Sequence, residues 1–345
     1  MPRTYPDISF DNDGICNHCL SYKKTDPIGE DHFLEKIKSK HGAKYDCVLG
    51  ISGGKDSCYV AYLAKKKFGM RALAVSYDFP FMVDLARNNT ITLCEQLGLE
   101  LLVVKSRNNF EYPLLRNHLI SLAATGTTWG QCMFCHYGIE AILWDTAQSR
   151  DVPFILSGVT NNEVWWNPGI RFNFLAKRLK NLPLEEKVVF GLYQSRAYVC
   201  LVDQRRQFPL LGNSGLNVYQ KAHSPSNGPE TIRFFDYVEW DQDLIEKTLQ
   251  AETGWQKPEQ ALSWRYDCIL EPLLDFTYKR EFGISSAGLY LCGLIRSGAI
   301  SREKALALIQ ESEDQAQLDM NLKTVLDFLK IPMRIQEKFF RIYPK

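Results

Sequence analysis

Short apolar runs alternate with helically spaced apolar residues between positions 45 and 160 of the chain. Short runs bounded by polar or turn residues are typical of buried strands, whereas a helical spacing places apolar residues on one face. The predicted strands are residues 45–52, 71–77, 101–105 and 154–158, and the predicted helices between them are 57–68, 83–97 and 139–150. This rhythm predicts an α/β fold, a parallel sheet with helices on both faces.

The two ends of the chain differ from this core. Residues 1–30 are rich in Asp, Asn, Pro and Gly and lack a long apolar run. This composition predicts a small irregular module that needs a stabilising link from outside its own core. Beyond residue 165 the pattern loosens around a loop at 213–229, and helices are predicted at 241–253, 273–281 and 301–311, the last capped by Ser301. We therefore divide the chain into a cysteine-containing module (1–30), a sheet domain (31–205) and a largely helical C-terminal region (206–345).

The balance of charges limits the classes of partner. Lys and Arg number 41 and Asp and Glu 40, and this net charge of +1 argues against a large nucleic-acid surface, which usually carries a basic excess. No apolar run approaches the roughly 18 residues of a membrane-spanning helix, and the first residues lack a signal pattern. We expect a cytoplasmic protein without membrane contact, whose ten cysteines are metal ligands, catalytic groups or core residues instead of disulfides.

One loop carries the strongest chemical signal in the sequence. It follows the first predicted strand, opens a helix, and reads Ser52-Gly53-Gly54-Lys55-Asp56-Ser57. Gly53 and Gly54 let the backbone approach a ligand closely, and the first amides of the helix favour an anion there. Lys55 adds a positive charge for phosphate oxygens, and Asp56 beside phosphates predicts Mg²⁺ between them. A simple capping turn is the alternative, but the strand–loop–helix context favours phosphate binding.

The SGGKDS loop resembles the PP-loop of the ATP pyrophosphatases, a superfamily with a PP-loop or HUP-like fold that includes NAD synthetase, GMP synthetase and the tRNA thiolases. The resemblance implies that residues 31–205 bind ATP, that the loop holds the β,γ-pyrophosphate, and that a substrate oxygen attacks the α-phosphorus. It further implies a nucleotide near Ser76, Tyr77 and Asp78, and a crevice at Gly158. Glu163 is a candidate Mg²⁺ ligand, with an ordinary surface carboxylate as the alternative.

Two Cys-x-x-Cys pairs, Cys16 with Cys19 and Cys132 with Cys135, predict a closed all-cysteine Zn²⁺ site. Such a structural Zn²⁺ would tie the N-terminal module to the sheet domain. One alternative is an iron–sulfur cluster on Cys132, Cys135 and a third cysteine, either Cys200 or Cys268. The other is a redox or sulfur-carrying dithiol.

The C-terminal region contains a polar-aromatic cluster between residues 254 and 268, which includes Trp255, and it also carries a second resemblance. The string IRSGAISREKAL at 295–306, with GICNHC at 14–19 and SGGKDS, resembles the N-acetyl sugar amidotransferases of lipopolysaccharide and related surface-glycan biosynthesis. We take Arg265 and Arg280 as candidates to bind a substrate phosphate or carboxylate, with surface ion pairs as the alternative. Asp267 and Cys268 join Lys55 and Asp56 as candidate catalytic residues, with helix packing as their alternative.

The second resemblance implies an ATP-dependent conversion of an acetamido group, on a nucleotide sugar or small molecule, to an acetamidino group. The sequence has no recognisable glutaminase nucleophile, so ammonia is expected from a glutamine amidotransferase partner. In the family this partner resembles the two subunits that make imidazole glycerol phosphate. Sulfur transfer to a small molecule or tRNA base is the second hypothesis, and a nucleotide-binding scaffold protein is the third. The acceptor stays open, and a homodimer is one assembly that the superfamily resemblance allows.

Overall fold

A five-stranded parallel sheet lies at the centre of the computed structural model. The structure describes residues 1–105, 109, 111–126, 133–160, 176, 179–207, 228–258, 267–312 and 315–342. The strands are β1 (Cys47–Gly50), β2 (Ala72–Asp78), β3 (Glu100–Lys105), β4 (Phe154–Ser157) and β5 (Glu230–Arg233). Their order in the sheet is β3-β2-β1-β4-β5, so β1 lies between β2 and β4.

Helices cover both faces of the sheet, as predicted. The helices are α1 (Asn17–Leu20), α2 (Glu30–Lys38), α3 (Lys55–Tyr62), α4 (Asp84–Leu97), α5 (Glu111–Thr125), α6 (Met133–Ser149), α7 (Leu184–Gln207), α8 (Gln242–Thr253), α9 (Glu271–Phe282), α10 (Ser286–Ser297), α11 (Arg302–Ser312), α12 (Gln315–Phe328) and α13 (Met333–Ile342). A π-helical turn (Leu63–Lys67) continues α3, and a 3₁₀ turn (Phe234–Asp236) follows β5.

Alternate residues of each central strand enter different cores. Cys47 and Leu49 point to the side covered by α2, α3, α4 and α8, whereas Val48 points to the side covered by α5, α6, α9 and α12. In β4, Ile155 shares the core of Val48, to which it is also the registered neighbour. Because both faces of these strands are buried, their sequences are continuously apolar, which is why the sequence pattern predicted them.

The strand order reverses next to β1. The chain leaves β1 towards β2 on one side, and β4 and β5 fill the other side. In open α/β sheets, ligands bind at such a switch point, outside the carboxyl ends of the strands. The turns after β1 and β4 therefore border the expected crevice.

The C-terminal region shares the core of the sheet domain. Phe276 of α9 and Leu326 of α12 are buried with Val48 on one face of the sheet. The segment before α9 also runs beside the end of β2, where Met82 pairs with Cys268 in an antiparallel bridge. The fifth strand, β5, comes from the stretch 206–345 that we assigned to the C-terminal region, so the sheet draws on both of our predicted divisions.

The N-terminal module is irregular apart from the four residues of α1. Phe10 bridges to Cys16, and the Thr4 hydroxyl donates a hydrogen bond to the Phe282 carbonyl at 3.0 Å. Tyr5 packs against the Phe282 ring with a centroid distance of 5.9 Å. The module is therefore attached to the end of α9. None of the helices among the described residues combines the length and apolar character needed to cross a lipid bilayer.

Candidate nucleotide-binding site

The SGGKDS loop (Ser52–Ser57), which we call the phosphate loop after its predicted ligand, connects β1 to α3 in the strand–loop–helix arrangement that the sequence predicted. Ser57, in the first turn of α3, closes the loop: its Oγ accepts from the Ser52 amide at 3.2 Å and donates to the Gly54 carbonyl at 3.1 Å. Gly54 is the extended residue before α3, with φ −72° and ψ 156°. The first backbone amides of a helix have no intrahelical partner. The start of α3 therefore presents N–H donors next to the carboxyl end of β1.

Gly53 holds the loop tightly against α4. Its φ is +77°, and a methyl group on its Cα would lie 2.0 Å from the Ala86 carbonyl oxygen. The Gly53 carbonyl accepts from the Trp255 indole N–H at 2.9 Å and from the Asn89 side-chain amide at 3.4 Å. Only glycine fits this position, because a side chain would meet backbone and the conformation is left-handed.

Lys55 and Asp56, the loop residues that begin α3, form a partly buried ion pair. The Lys55 Nζ lies 2.9 Å from Asp56 Oδ2, and the Lys55 side chain is only 4% exposed. The Trp240 indole N–H donates to the other carboxylate oxygen, Asp56 Oδ1, at 2.7 Å. The Lys55 Nζ also lies 5.6 Å from the Trp240 ring centroid and 5.9 Å from that of Tyr290 in α10. Cation and carboxylate are thus held in place before any ligand binds.

Two further groups border the loop at the switch point. A methyl group on Gly158, just after β4, would lie 3.2 Å from the Ser57 amide nitrogen, so the end of β4 touches the start of α3. A methyl group on Gly54 would lie 3.9 Å from the Asp267 Oδ2. The Asp267 backbone carbonyl accepts from the Val83 amide at 3.1 Å, which fixes this segment beside the end of β2. The structure therefore brings the predicted residues Gly158 and Asp267 to the phosphate loop.

The residues predicted to approach the nucleotide from β2 are engaged in other contacts. Ser76 is buried in the strand. The Asp78 carboxylate pairs with Arg87 at 2.7 Å and with Lys105 at 3.0 Å. Burial would raise the pKa of Asp78, but these two cations lower it below its usual value. The Tyr77 hydroxyl donates to the buried Glu111 carboxylate. Contact of Ser76 and Asp78 with a nucleotide stays a prediction.

The oxygen donors at the loop suit Mg²⁺. Asp56 contributes a carboxylate, and Ser52 and Ser57 contribute hydroxyls. Mg²⁺ commonly binds one or two carboxylates and completes its shell with water and substrate phosphates. Within the described ranges, no group of three or more His, Cys, Asp or Glu side chains forms a metal site. Glu163 lies outside the described residues, so its role stays a prediction.

The predicted Zn²⁺ site is described in part. The sulfur atoms of Cys16 and Cys19 lie 3.5 Å apart. Cys135 is half-buried and packs against the hydrophobic core on the face of the sheet that contains Val48. These three cysteines do not form a metal-holding group among the residues that the structure describes. Cys132 lies outside those residues, so the four-cysteine site stays a prediction.

The other cysteines are mainly core residues. Cys47, Cys58 and Cys94 are buried among apolar side chains. Burial raises the pKa of the Cys94 thiol to about 11 and raises the pKa values of Cys47 and Cys58 further. Cys268 is partly buried against the core, and its sulfur accepts from the Leu270 amide at 3.4 Å. Its predicted part in catalysis or in a cluster stays a prediction.

The two candidate substrate arginines differ in what is described. Arg265 lies outside the described residues. Arg280 lies in the last turn of α9, with its guanidinium 5.2 Å from the Phe276 ring centroid. The structure instead shows Trp240, Trp255 and Tyr290 around the loop, none of which we had predicted to lie there. Trp255 belongs to the polar-aromatic cluster of the sequence, but no local pattern indicates what its indole contacts.

Two segments of the chain match known protein families. The NAD synthase family model matches residues 30–111, which include the phosphate loop, and the model of the "LPS biosynthesis protein WbpG-like, C-terminal domain" matches residues 264–343. The uncharacterized protein MJ1599 of Methanocaldococcus jannaschii is 27% identical over 162 residues, or 45% of this chain. The match covers 55% of that protein, so the chain spans about half the length of this curated relative.

Three solved structures are also similar. The U34-tRNA thiolase NcsA from Methanococcus maripaludis with its [4Fe-4S] cluster has a TM-score of 0.38 and 14% identity over 84% of this chain and 78% of that chain. The NMN synthetase from Francisella tularensis has a TM-score of 0.39 and 13% identity over 84% and 94%. The NH3-dependent NAD synthetase from Campylobacter jejuni has a TM-score of 0.30 and 17% identity over 67% and 94%.

Loop geometry and family match agree on the class of the nucleotide-binding part. Residues 30–111 are similar to the NAD synthases, which belong to the PP-loop ATP pyrophosphatase superfamily, and they contain the strand–loop–helix segment that carries the SGGKDS loop. The segment 264–343 is similar to the C-terminal domain of WbpG-like proteins of lipopolysaccharide biosynthesis. Asp267 and Tyr290, which both lie at the loop, come from this second segment.

Proposed function

We propose that the protein is an ATP-dependent amidotransferase that adenylates the acetamido oxygen of a sugar or small molecule and then replaces AMP with ammonia. The proposal rests on one observation: Asp267 lies beside Gly54 of the phosphate loop, and the Tyr290 ring lies near Lys55 of the same loop. The loop belongs to the segment similar to NAD synthases, and the two side chains belong to the segment similar to a lipopolysaccharide biosynthesis protein. This meeting supports a site that joins ATP cleavage to a glycan precursor.

The first proposed step forms a bond between the acetamido oxygen and the α-phosphorus, and pyrophosphate leaves. The loop amides and Lys55 hold the departing pyrophosphate, because preorganised donors stabilise charge where it develops. As the oxygen attacks, the acetamido N–H becomes acidic, and the Asp267 carboxylate beside Gly54 takes that proton. Mg²⁺ held through Asp56 would neutralise phosphate charge. The product of this step is an O-adenylyl imidate.

The second proposed step replaces oxygen with nitrogen. Ammonia adds to the imidate carbon, and AMP leaves with the former acetamido oxygen. The resulting acetamidino group keeps a proton because amidines are strong bases. Free ammonia is scarce at neutral pH, so we propose a glutamine-hydrolysing partner that supplies it, similar to the two subunits that make imidazole glycerol phosphate.

A comparison of nitrogen and sulfur donors tests the proposal. Purified protein is incubated with Mg-ATP and a panel of N-acetylated nucleotide sugars, with either ammonium or sulfide, and AMP and pyrophosphate are measured. We expect both products only with an N-acetyl sugar and ammonium, together with a sugar that carries NH in place of oxygen. AMP that depends on sulfide would support thiolation instead, and release of ADP with phosphate would contradict both activities.

The Asp267 variant provides the residue-level test. Asp267→Asn keeps the shape of the side chain but removes the proton acceptor, and we expect the rate of AMP formation to fall about a hundredfold or more. Asp243→Asn is the matched control, since Asp243 is an exposed carboxylate in α8. Equal rates for wild type and Asp267→Asn would remove Asp267 from the mechanism.

A further inference from the structure

Trp240 links a distant part of the chain to the phosphate loop. It lies between the 3₁₀ turn (Phe234–Asp236) and α8, and is separated from Asp56 by 184 positions in the sequence. Its indole N–H donates to Asp56 Oδ1 at 2.7 Å, while Asp56 Oδ2 accepts from Lys55 at 2.9 Å. Each oxygen of the Asp56 carboxylate therefore has its own donor, and the plane of the carboxylate is fixed.

The Trp240 ring also lies beside the ammonium group of Lys55. The Lys55 Nζ lies 5.6 Å from its centroid, and the Tyr290 ring meets the Trp240 ring edge-on at 6.4 Å. A cation near aromatic faces is stabilised by the ring electrons, and more strongly where water is excluded. One side chain thus contacts both charged residues of the loop, through its N–H and through its ring.

The backbone around Trp240 is itself held in place. Val238 is buried in the core of Leu49 on one side. On the other side, the Asp241 carboxylate accepts from the Leu244 amide at 3.0 Å and caps α8. The Trp240 side chain itself is only partly buried. The contacts of Val238 and Asp241 therefore hold the backbone from which the indole reaches the loop.

We propose that Trp240 is a positioning residue that orients the Asp56 carboxylate for Mg²⁺ and thereby sets the Mg²⁺ requirement for nucleotide binding. The inference rests on the proposed function only in that the loop binds Mg-ATP. Donors behind a metal-binding carboxylate fix its orientation, and their loss typically weakens metal affinity by about 10–100-fold. Phe at position 240 would keep a ring beside Lys55 but would remove the N–H donor.

The test measures ATP binding instead of turnover, so it does not depend on the acceptor. Calorimetry gives the Mg²⁺ concentration for half-maximal ATP binding to wild type and to Trp240→Phe. Trp255→Phe is the matched variant, because the Trp255 indole donates to the Gly53 backbone and not to Asp56. We expect the Mg²⁺ midpoint to rise about tenfold or more in Trp240→Phe. In Trp255→Phe we expect a change in ATP affinity at every Mg²⁺ concentration without a change in the midpoint.

A double-mutant cycle separates positioning from packing. If Trp240 acts through Asp56, Trp240→Phe should not raise the Mg²⁺ midpoint further in a protein that already carries Asp56→Asn. A general packing defect would instead raise the midpoint of the double variant above that of Asp56→Asn alone. An unchanged or lower midpoint in Trp240→Phe overturns the proposal, as does an equal rise in both tryptophan variants. Wild-type protein that binds no Mg-ATP would overturn the proposed function as well, and that outcome is visible without any variant.

Discussion

Gly53 is the residue on which the shape of the phosphate loop depends most directly. Its φ is +77°, and the Ala86 carbonyl oxygen would lie 2.0 Å from a methyl group at this position, so any side chain is excluded. We expect Gly53→Ala to move the loop away from α4 and to weaken Mg-ATP binding about a hundredfold, since catalytic and binding geometry tolerates little displacement. Calorimetric titration with Mg-ATP measures this loss.

Gly69→Ala is the matched control for this change. Gly69 also has a positive φ, +63°, but a methyl group there would meet nothing within 4 Å. Both variants carry the strain of about 1–2 kcal/mol for a left-handed alanine, but only Gly53→Ala adds a backbone collision. Equal ATP affinity in the two variants would mean that the loop does not need its contact with α4.

His118 in α5 predicts a specific pH dependence of stability. Burial lowers its pKa from 6.5 to about 4, although a hydrogen bond with Gln194 partly opposes this. The unfolded chain therefore binds a proton that the folded protein excludes as the pH falls from about 6.5 to about 4. The free energy of unfolding should lose up to about 3 kcal/mol over this window through His118 alone.

Comparison with His118→Gln isolates this contribution from other titrating groups. Asp145 acts in the opposite direction, because burial raises its pKa to about 6. The stability difference, wild type minus variant, should be constant above about pH 6.5 and should fall as the pH falls to about 4, in urea unfolding at a series of pH values. A difference that stays flat over this range would show that His118 can be protonated in the folded state.

At this scale, the sequence predicted the loop but not what surrounds it. Ser52 to Ser57 are consecutive, so their chemistry and context are visible in one short string. Trp240 and Trp255 reach the loop from positions 184 and 202 residues away, and no local pattern encodes such a contact. Asp267 was predicted as a candidate from its neighbours, yet its place beside Gly54 depends on the pairing of Met82 with Cys268.

At the scale of elements, apolar composition decided which strands could be predicted. The first four strands contain apolar runs, and each was predicted within a few residues, although the edge strand β3 has no fully buried residue. The fifth strand, β5, has the sequence ETIR, and Ile232 is its one buried apolar residue. A four-residue edge strand of this composition carries no period-two signal of its own, and its pairing with β4 is a product of the fold.

The start of α8 is the element boundary that matters most for the site. Asp241 caps this helix with a 3.0 Å bond from the Leu244 amide, and Trp240 immediately precedes it. We expect Asp241→Ala to lower the free energy of unfolding by about 1 kcal/mol, whereas Asp241→Asn should retain most of it, because Asn also caps helices well. Chemical denaturation of the two variants gives both values. Equal destabilisation by Ala and Asn would show that charge, and not the cap, is what Asp241 contributes.

At the scale of the whole molecule, the candidate site depends on segments far apart in the chain. Residues 30–111 and 264–343 match different families, and the structure joins them through the pairing of Met82 with Cys268 and through a shared core. The strand–helix rhythm was sufficient to predict the sheet with its helices, and the helical character of the C-terminal region was also predicted. The way in which that region completes the loop follows from tertiary packing, which the hydrophobic pattern does not specify.

The fate of the acceptor oxygen tests the central claim most directly. An N-acetylated nucleotide sugar that supports AMP formation is prepared with ¹⁸O in its acetamido carbonyl and is converted with Mg-ATP and ammonium. Adenylation of the amide oxygen predicts that the label appears in AMP, while pyrophosphate and the acetamidino product contain none. Label in inorganic phosphate, or label retained by the sugar product while ATP is consumed, would contradict the attack of the amide oxygen on the α-phosphorus.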